Sequence, residues 1–89
     1  MERVEAMVSG KVQVVMYRDF ARQSARALSI TGEVKNLADG RVQVIAEGER
    51  ANLEALIKKL KEGPVLARVD GIDVTWHVAT GAYADFSIV

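Results

Sequence analysis

The chain of 89 residues has no cysteine. Disulfides and thiolate metal sites are therefore excluded, and one apolar core must hold the fold. A single histidine leaves an imidazole metal centre without partners. Twelve basic and twelve acidic residues cancel, so no net field draws the chain to nucleic acid or to an anionic membrane. No apolar run is long enough to cross a bilayer and no basic-then-apolar leader opens the sequence, which sets the expectation of a cytoplasmic protein. Linkers and low-complexity stretches are also missing, so residues 1–89 are expected to form one domain. What is present, 49 % hydrophobic and 27 % charged residues, is ordinary for a globular protein.

The apolar residues fall into two periods. In residues 3–9, Val4, Ala6 and Val8 alternate with Arg3, Glu5 and Ser9, the period of a half-buried strand. Residues 19–30 place Phe20, Ala21, Ser24, Ala27 and Leu28 on one helical stripe, with Gly32 as the expected C-terminal cap. Residues 34–37 and 41–47 read as two strands around Ala38-Asp39-Gly40, with Val42, Val44 and Ala46 inward and Arg41, Gln43 and Glu47 outward. In residues 52–62, Leu53, Leu56, Ile57 and Leu60 make a buried helix face that Gly63-Pro64 ends. Residues 67–78 form a last long strand. Its inward side is Ile72, Val74, Trp76 and Val78, and its outward side Asp73, Thr75 and His77; residues 84–89 add a short terminal strand. The order β-α-β-β-α-β predicts an α+β, ferredoxin-like sandwich, an antiparallel sheet with two helices on one face.

Between the first strand and first helix stands Gly10-Lys11-Val12-Gln13-Val14-Val15-Met16-Tyr17-Arg18. A guanidinium at a helix entrance opposes the macrodipole. An anion held by loop amides, the helix N-terminus and Arg18 removes the conflict, so a phosphate-handling site is expected here. Asn36, two residues past Val34 and just before the turn, is the second candidate; Tyr17 is expected beneath the loop, helping to aim Arg18.

Gly10-Lys11-Val12-Gln13, with Val15, Tyr17 and Arg18, resembles the acylphosphatase loop Gly-Arg-Val-Gln-Gly-Val-x-Phe/Tyr-Arg. Gly32-x-Val34-Lys35-Asn36-x-x-x-Gly40-x-Val42, with Gly48 beyond, resembles the second motif of that family, and Gly63-Pro64 with Ala67-Arg68-Val69 is similar to the start of its fourth strand. The likeness implies an enzyme that hydrolyses small-molecule acyl phosphates to carboxylate and inorganic phosphate, with no cofactor and no metal. It implies a phosphate-binding loop over Gln13, Val14, Val15, Met16, Tyr17 and Arg18. Arg18 then grips phosphate and Asn36 places the attacking water. An end at Val89 favours the stand-alone form over the related domain of larger carbamoyl-transfer enzymes.

Val14 departs from that pattern, which has glycine there. Valine in a left-handed conformation costs on the order of 1–3 kcal/mol. Two consequences are expected to compete. In one, the loop closes and phosphate binding weakens. In the other, residues 12–17 extend into a straight hinge and the first strand is exchanged between chains, giving a domain-swapped oligomer instead of the expected monomer. The alternatives to a working enzyme are a catalytically weak phosphate-binding homologue and such a self-associating variant. An RNA-binding sheet is disfavoured, because residues 41–47 hold no aromatic on which a base could stack. Trp76 is expected in the core. His77 and the Lys58-Lys59-Lys61 cluster are expected to be solvated.

Overall fold

A computed structural model describes all 89 residues. The elements are β1 (Glu2–Lys11), α1 (Tyr17–Ala27), β2 (Thr31–Asn36), β3 (Val42–Gly48), α2 (Arg50–Glu62), β4 (Arg68–Val78) and β5 (Phe86–Ile88). The expected β-α-β-β-α-β order is thus present, with one short strand appended. The sheet runs β4-β1-β3-β2-β5. Every neighbouring pair is antiparallel except β2 and β5, which are parallel.

Strand alternation sorts the sheet into a dry face and a wet one. Val4, Ala6 and Val8 of β1 lie opposite Ala46, Val44 and Val42 of β3, and all six are buried. Both helices cover this face. Leu53, Leu56 and Leu60 of α2 and Tyr17, Ala21 and Ala25 of α1 complete a core of 17 buried residues with Val34, Ile30 and Phe86 among them. The other face carries Arg3, Glu5, Gln43, Asp73, Thr75 and His77, none of them buried.

Two glycines are dictated by close approach. At Gly10 the β1–β4 register slips, φ is 124°, and a Cβ would lie 2.1 Å from the Arg68 carbonyl oxygen. Beyond the bulge β1 stays paired with β4 through Gly10 and Lys11, while its pairing with β3 has ended at Val8. At Gly32 a Cβ would lie 1.9 Å from the Ile45 carbonyl oxygen.

Several expectations are corrected. Gly32 is inside β2 and does not cap α1. The helix ends earlier, with Ser29 left-handed at φ 56°, Ser29 N–H donating to Arg26 and Ile30 N–H to Ala25. Those two bonds are the paired closure of a helix C-terminus that glycine usually makes. The buried stripe of α1 is Tyr17, Ala21 and Ala25, whereas Ala27 is exposed. Val78 is 82 % exposed; Trp76 does pack against the core, but only half-buried, with the Arg50 guanidinium 3.9 Å from its ring centroid. Glu47, expected to face water, is 4 % exposed. Its carboxylate accepts from Thr80 N–H at 3.0 Å, Thr80 Oγ1 at 2.7 Å, Gly81 N–H at 2.9 Å and Arg3 at 3.3 Å. His77 and the three lysines are exposed as expected.

Candidate active site

The loop after the β1 bulge is fastened at three points. Val12 is in the core. Gln13 Nε2 donates to the carbonyls of Leu37 at 2.9 Å and Arg41 at 3.0 Å, which joins the loop to the β2–β3 turn. Tyr17, 1 % exposed, donates its hydroxyl to the Leu60 carbonyl at 2.6 Å. Burial pushes its phenol above the ordinary value, so it stays a neutral donor.

Between these anchors the backbone alternates in hand. Val14 has φ 53° and Met16 φ 60°, while Val15 between them stays in the ordinary negative region. Alternation of this kind turns successive N–H groups toward one side and makes a concave anion nest. The extended hinge over residues 12–17 is therefore not the conformation of this chain. The loop is coiled, and valine occupies the left-handed position.

The amides of the nest are free. No backbone N–H from Gln13 through Asp19 donates to a protein acceptor; the first helical bond of α1 is Phe20 N–H to Met16 at 3.0 Å. Met16, the residue before α1, supplies no side-chain cap. The positive end of α1 is thus open toward the loop.

Arg18 adds a full charge. Of seven arginines, six have a carboxylate within 4.0 Å. Arg18 has none. The adjacent Asp19 is drawn off by Arg22 at 2.7 Å and Gln23 at 2.9 Å. An arginine left unpaired beside unpaired amides calls for an anion, and its planar fork suits two oxygens.

An open pocket of about 130 Å³ lies here, lined by Val12, Val14, Met16, Tyr17, Arg18, Asp19 and Ile88. Four of the expected loop residues, Val14, Met16, Tyr17 and Arg18, meet in it. Gln13 and Val15 do not line it, Gln13 acting as the clamp and Val15 packing inward. Asn36 ends β2 opposite Val42, outside the lining. Its Oδ1 is the one buried side-chain oxygen or nitrogen without a hydrogen-bond partner. The Gln13 clamp grips the neighbouring Leu37, tying the end of β2 to the loop. Asp19 and Ile88 were not legible as lining residues; Ile88 arrives through the parallel pairing of β5 with Val34. No three His, Cys, Asp or Glu side chains stand together as metal ligands.

The family model described as acylphosphatase matches residues 4–88. The chain belongs to the acylphosphatase family. An acylphosphatase of Methylococcus capsulatus is 44 % identical over 89 residues, covering 100 % of this chain and 97 % of the relative. One of Thermus thermophilus is 47 % identical over 81 residues, 91 % of this chain and 92 % of that one. The crystal structure of acylphosphatase from Bacillus subtilis superposes with a TM-score of 0.97 at 35 % identity, covering 100 % of this chain and 99 % of that one. The ferredoxin-like fold and the enzyme class expected from the two motifs are those of the acylphosphatase family.

Proposed function

We propose that the chain hydrolyses acyl phosphates at the loop of residues 13–18, with Arg18 holding the phosphoryl oxygens and Asn36 orienting water. The observation that carries this reading is the unpaired Arg18 beside the unused amides of Gln13 through Asp19. Phosphoryl oxygens are the acceptors that such a cradle lacks.

The reaction needs little from the protein beyond position and charge. Water oxygen attacks phosphorus and the bond from phosphorus to the carboxyl oxygen breaks. The electron pair leaves with the carboxylate, and both water hydrogens remain on the phosphate. Carboxylate is a good leaving group, so a strong base is unnecessary. Amides and guanidinium stabilise charge on the phosphoryl oxygens as it develops. The orphaned Asn36 Oδ1 can accept a hydrogen bond from water but is not a proton-abstracting base. No step calls for a metal. The same loop, closed rather than extended, supports a monomer as the working form.

Hydrolysis of acetyl phosphate with inorganic phosphate as competitor tests the assignment. Arg18→Ala should lower kcat/KM by at least about 100-fold, as loss of a donor to developing charge does elsewhere, and should remove inhibition by phosphate. Undiminished inhibition in the variant would take Arg18 out of the site.

A further inference from the structure

We infer that Arg22 and Gln23 are positioning residues for the phosphate site: they hold the Asp19 carboxylate off the amides and guanidinium that it would otherwise occupy in place of the substrate. The inference deepens the function proposed above and rests on it for the place where phosphate binds.

Asp19 is the third residue of α1, which begins at Tyr17 and has Met16 before it. An acidic side chain at that position ordinarily folds back onto the N-terminal amides of its own helix, as the acidic member of a capping box does. The helix dipole favours it there. Nothing else in the chain claims those amides, since no backbone N–H from Gln13 through Asp19 has a protein acceptor and Met16 supplies no side-chain cap. Arg18, the other half of the cradle, has no carboxylate partner, and Arg18 and Asp19 line the same pocket. Asp19 is thus an anion tethered inside an anion site. By its position alone it would fill the cradle from within.

In the structure both of its oxygens are taken from the other side. Asp19 Oδ1 accepts from Arg22 Nη2 at 2.7 Å and Oδ2 from Gln23 Nε2 at 2.9 Å. Residues three and four positions on share a helix face with Asp19 and lie one turn further from the N-terminus. The two contacts therefore draw the carboxylate along the helix rather than back toward the loop, and Arg22 also offsets a negative charge that would repel a phosphoryl group. The hold is light. The side chains of Arg22 and Asp19 are 34 % and 30 % exposed, and exposed pairs of this kind are weak. Two contacts on separate oxygens bias the carboxylate outward more than either alone. Apparent affinity for phosphate is the intrinsic affinity scaled by the fraction of molecules whose cradle is open, so side chains that never touch the substrate set how tightly it binds.

A mutant cycle on calorimetric phosphate affinity tests this, with KM and kcat for acetyl phosphate measured beside it. Arg22→Ala/Gln23→Ala should weaken phosphate and raise KM by about three- to tenfold, which corresponds to an open fraction of roughly a third to a tenth. Its kcat should stay within about twofold. Asp19→Asn, a neutral side chain of the same size, should recover the lost affinity in that background and change it by at least about threefold less in the unaltered chain. Gln23→Ala alone removes no charge and should weaken phosphate by about twofold; with Asp19→Asn it closes the same cycle should the double variant fail to fold. Phosphate affinity unchanged in the double variant overturns the inference. An equal effect of Asp19→Asn in both backgrounds also overturns it, because Arg22 would then act only through its own charge. So does a fall in kcat with KM held, which would assign the two side chains to the chemistry. Acetyl phosphate left intact by the unaltered chain would instead sink the proposed reaction, and the phosphate cycle would still decide the role of Arg22 and Gln23.

Discussion

Val14, like Met16 two residues on, carries a backbone cost, and its β-branch makes the cost larger. A β-branched residue at φ 53° is strained by on the order of 1–3 kcal/mol, and with 98 % of its surface in water it recovers none of this by packing in the core. Glycine has no Cβ to strain but loses about 0.5–1 kcal/mol more in conformational entropy on folding. Val14→Gly should therefore stabilise the fold by about 1 kcal/mol in denaturant titrations. It should also raise turnover of acetyl phosphate, because the amides of the loop gain freedom to close on phosphate. A lower midpoint in the variant would mean that valine is not strained where it stands. Asn36 raises the converse question, a buried polar atom without a partner. A buried carbonyl oxygen without a hydrogen bond costs about 1–3 kcal/mol, and Asn36 Oδ1 is such an atom; the proposed role would give it a water as partner. Asn36→Ala should lower kcat by about 100-fold, the scale set by a misplaced reactant, and leave phosphate inhibition in place. Equal losses of phosphate affinity and turnover would make Asn36 a structural residue.

At the scale of elements, periodicity carried most of the fold. The inward faces of β1 and β3 and the leucine face of α2 follow from alternation and from i, i+3, i+4, i+7 spacing, because each faces one continuous core. The ends of α1 did not follow. Its entrance at Met16 and its exit at Ser29 are both left-handed without glycine, and backbone sterics make glycine the residue one looks for. Gly32 was the obvious cap and serves instead where β2 passes closest to Ile45. Glu47 was read outward by the same alternation that placed β3 correctly. Its partners come from Thr80 and Gly81, too far along the chain for any local pattern to announce. In the site, the Arg18 loop was legible from motif and helix-end chemistry, whereas Ile88 was hidden behind a strand pairing.

The Glu47 contacts make a latch between β3 and the segment leading to β5. Burial alone would raise this carboxyl, but the amides of Thr80 and Gly81, the Thr80 hydroxyl and Arg3 outweigh it and hold it at about 2, against an ordinary 4.5. The sign follows from linkage. A carboxyl lowered in the folded state contributes stability that is fully present above 4.5 and is lost as pH falls from there through 2. Glu47→Gln should cost about 1–3 kcal/mol at neutral pH. The gap between the two proteins should close on acidification across that window. Denaturant midpoints taken from pH 7 downward check this, and a gap of constant size at every pH would mean that Glu47 is not the titrating group.

For the molecule as a whole, the position of β1 decides whether strand exchange is accessible. A strand at the edge of a sheet can be given to a neighbour by opening one ladder. Here β1 lies between β4 and β3. It pairs along Glu2–Lys11 with the first and from Glu2 to Val8 with the second, so exchanging it means opening both ladders. Val4, Ala6 and Val8 would leave the core with it. The opening is thus close to global unfolding, and the loop supplies no extended hinge to guide it, since Val14 and Met16 hold it coiled and Gln13 ties it to the β2–β3 turn. A swapped dimer would restore the same ladders but must cross that barrier, so its formation is slow even where its free energy is comparable. Freshly folded protein should therefore elute as one species of about 9.7 kDa by light scattering. Dimer should appear only after partial denaturation, less of it at low refolding concentration than at high, and more of it for Gln13→Ala than for the unaltered chain at the same concentration. A dimer present from the start, unchanged on dilution and on exchanging Val14 for glycine, would show that β1 is freer than its place in the middle of the sheet allows.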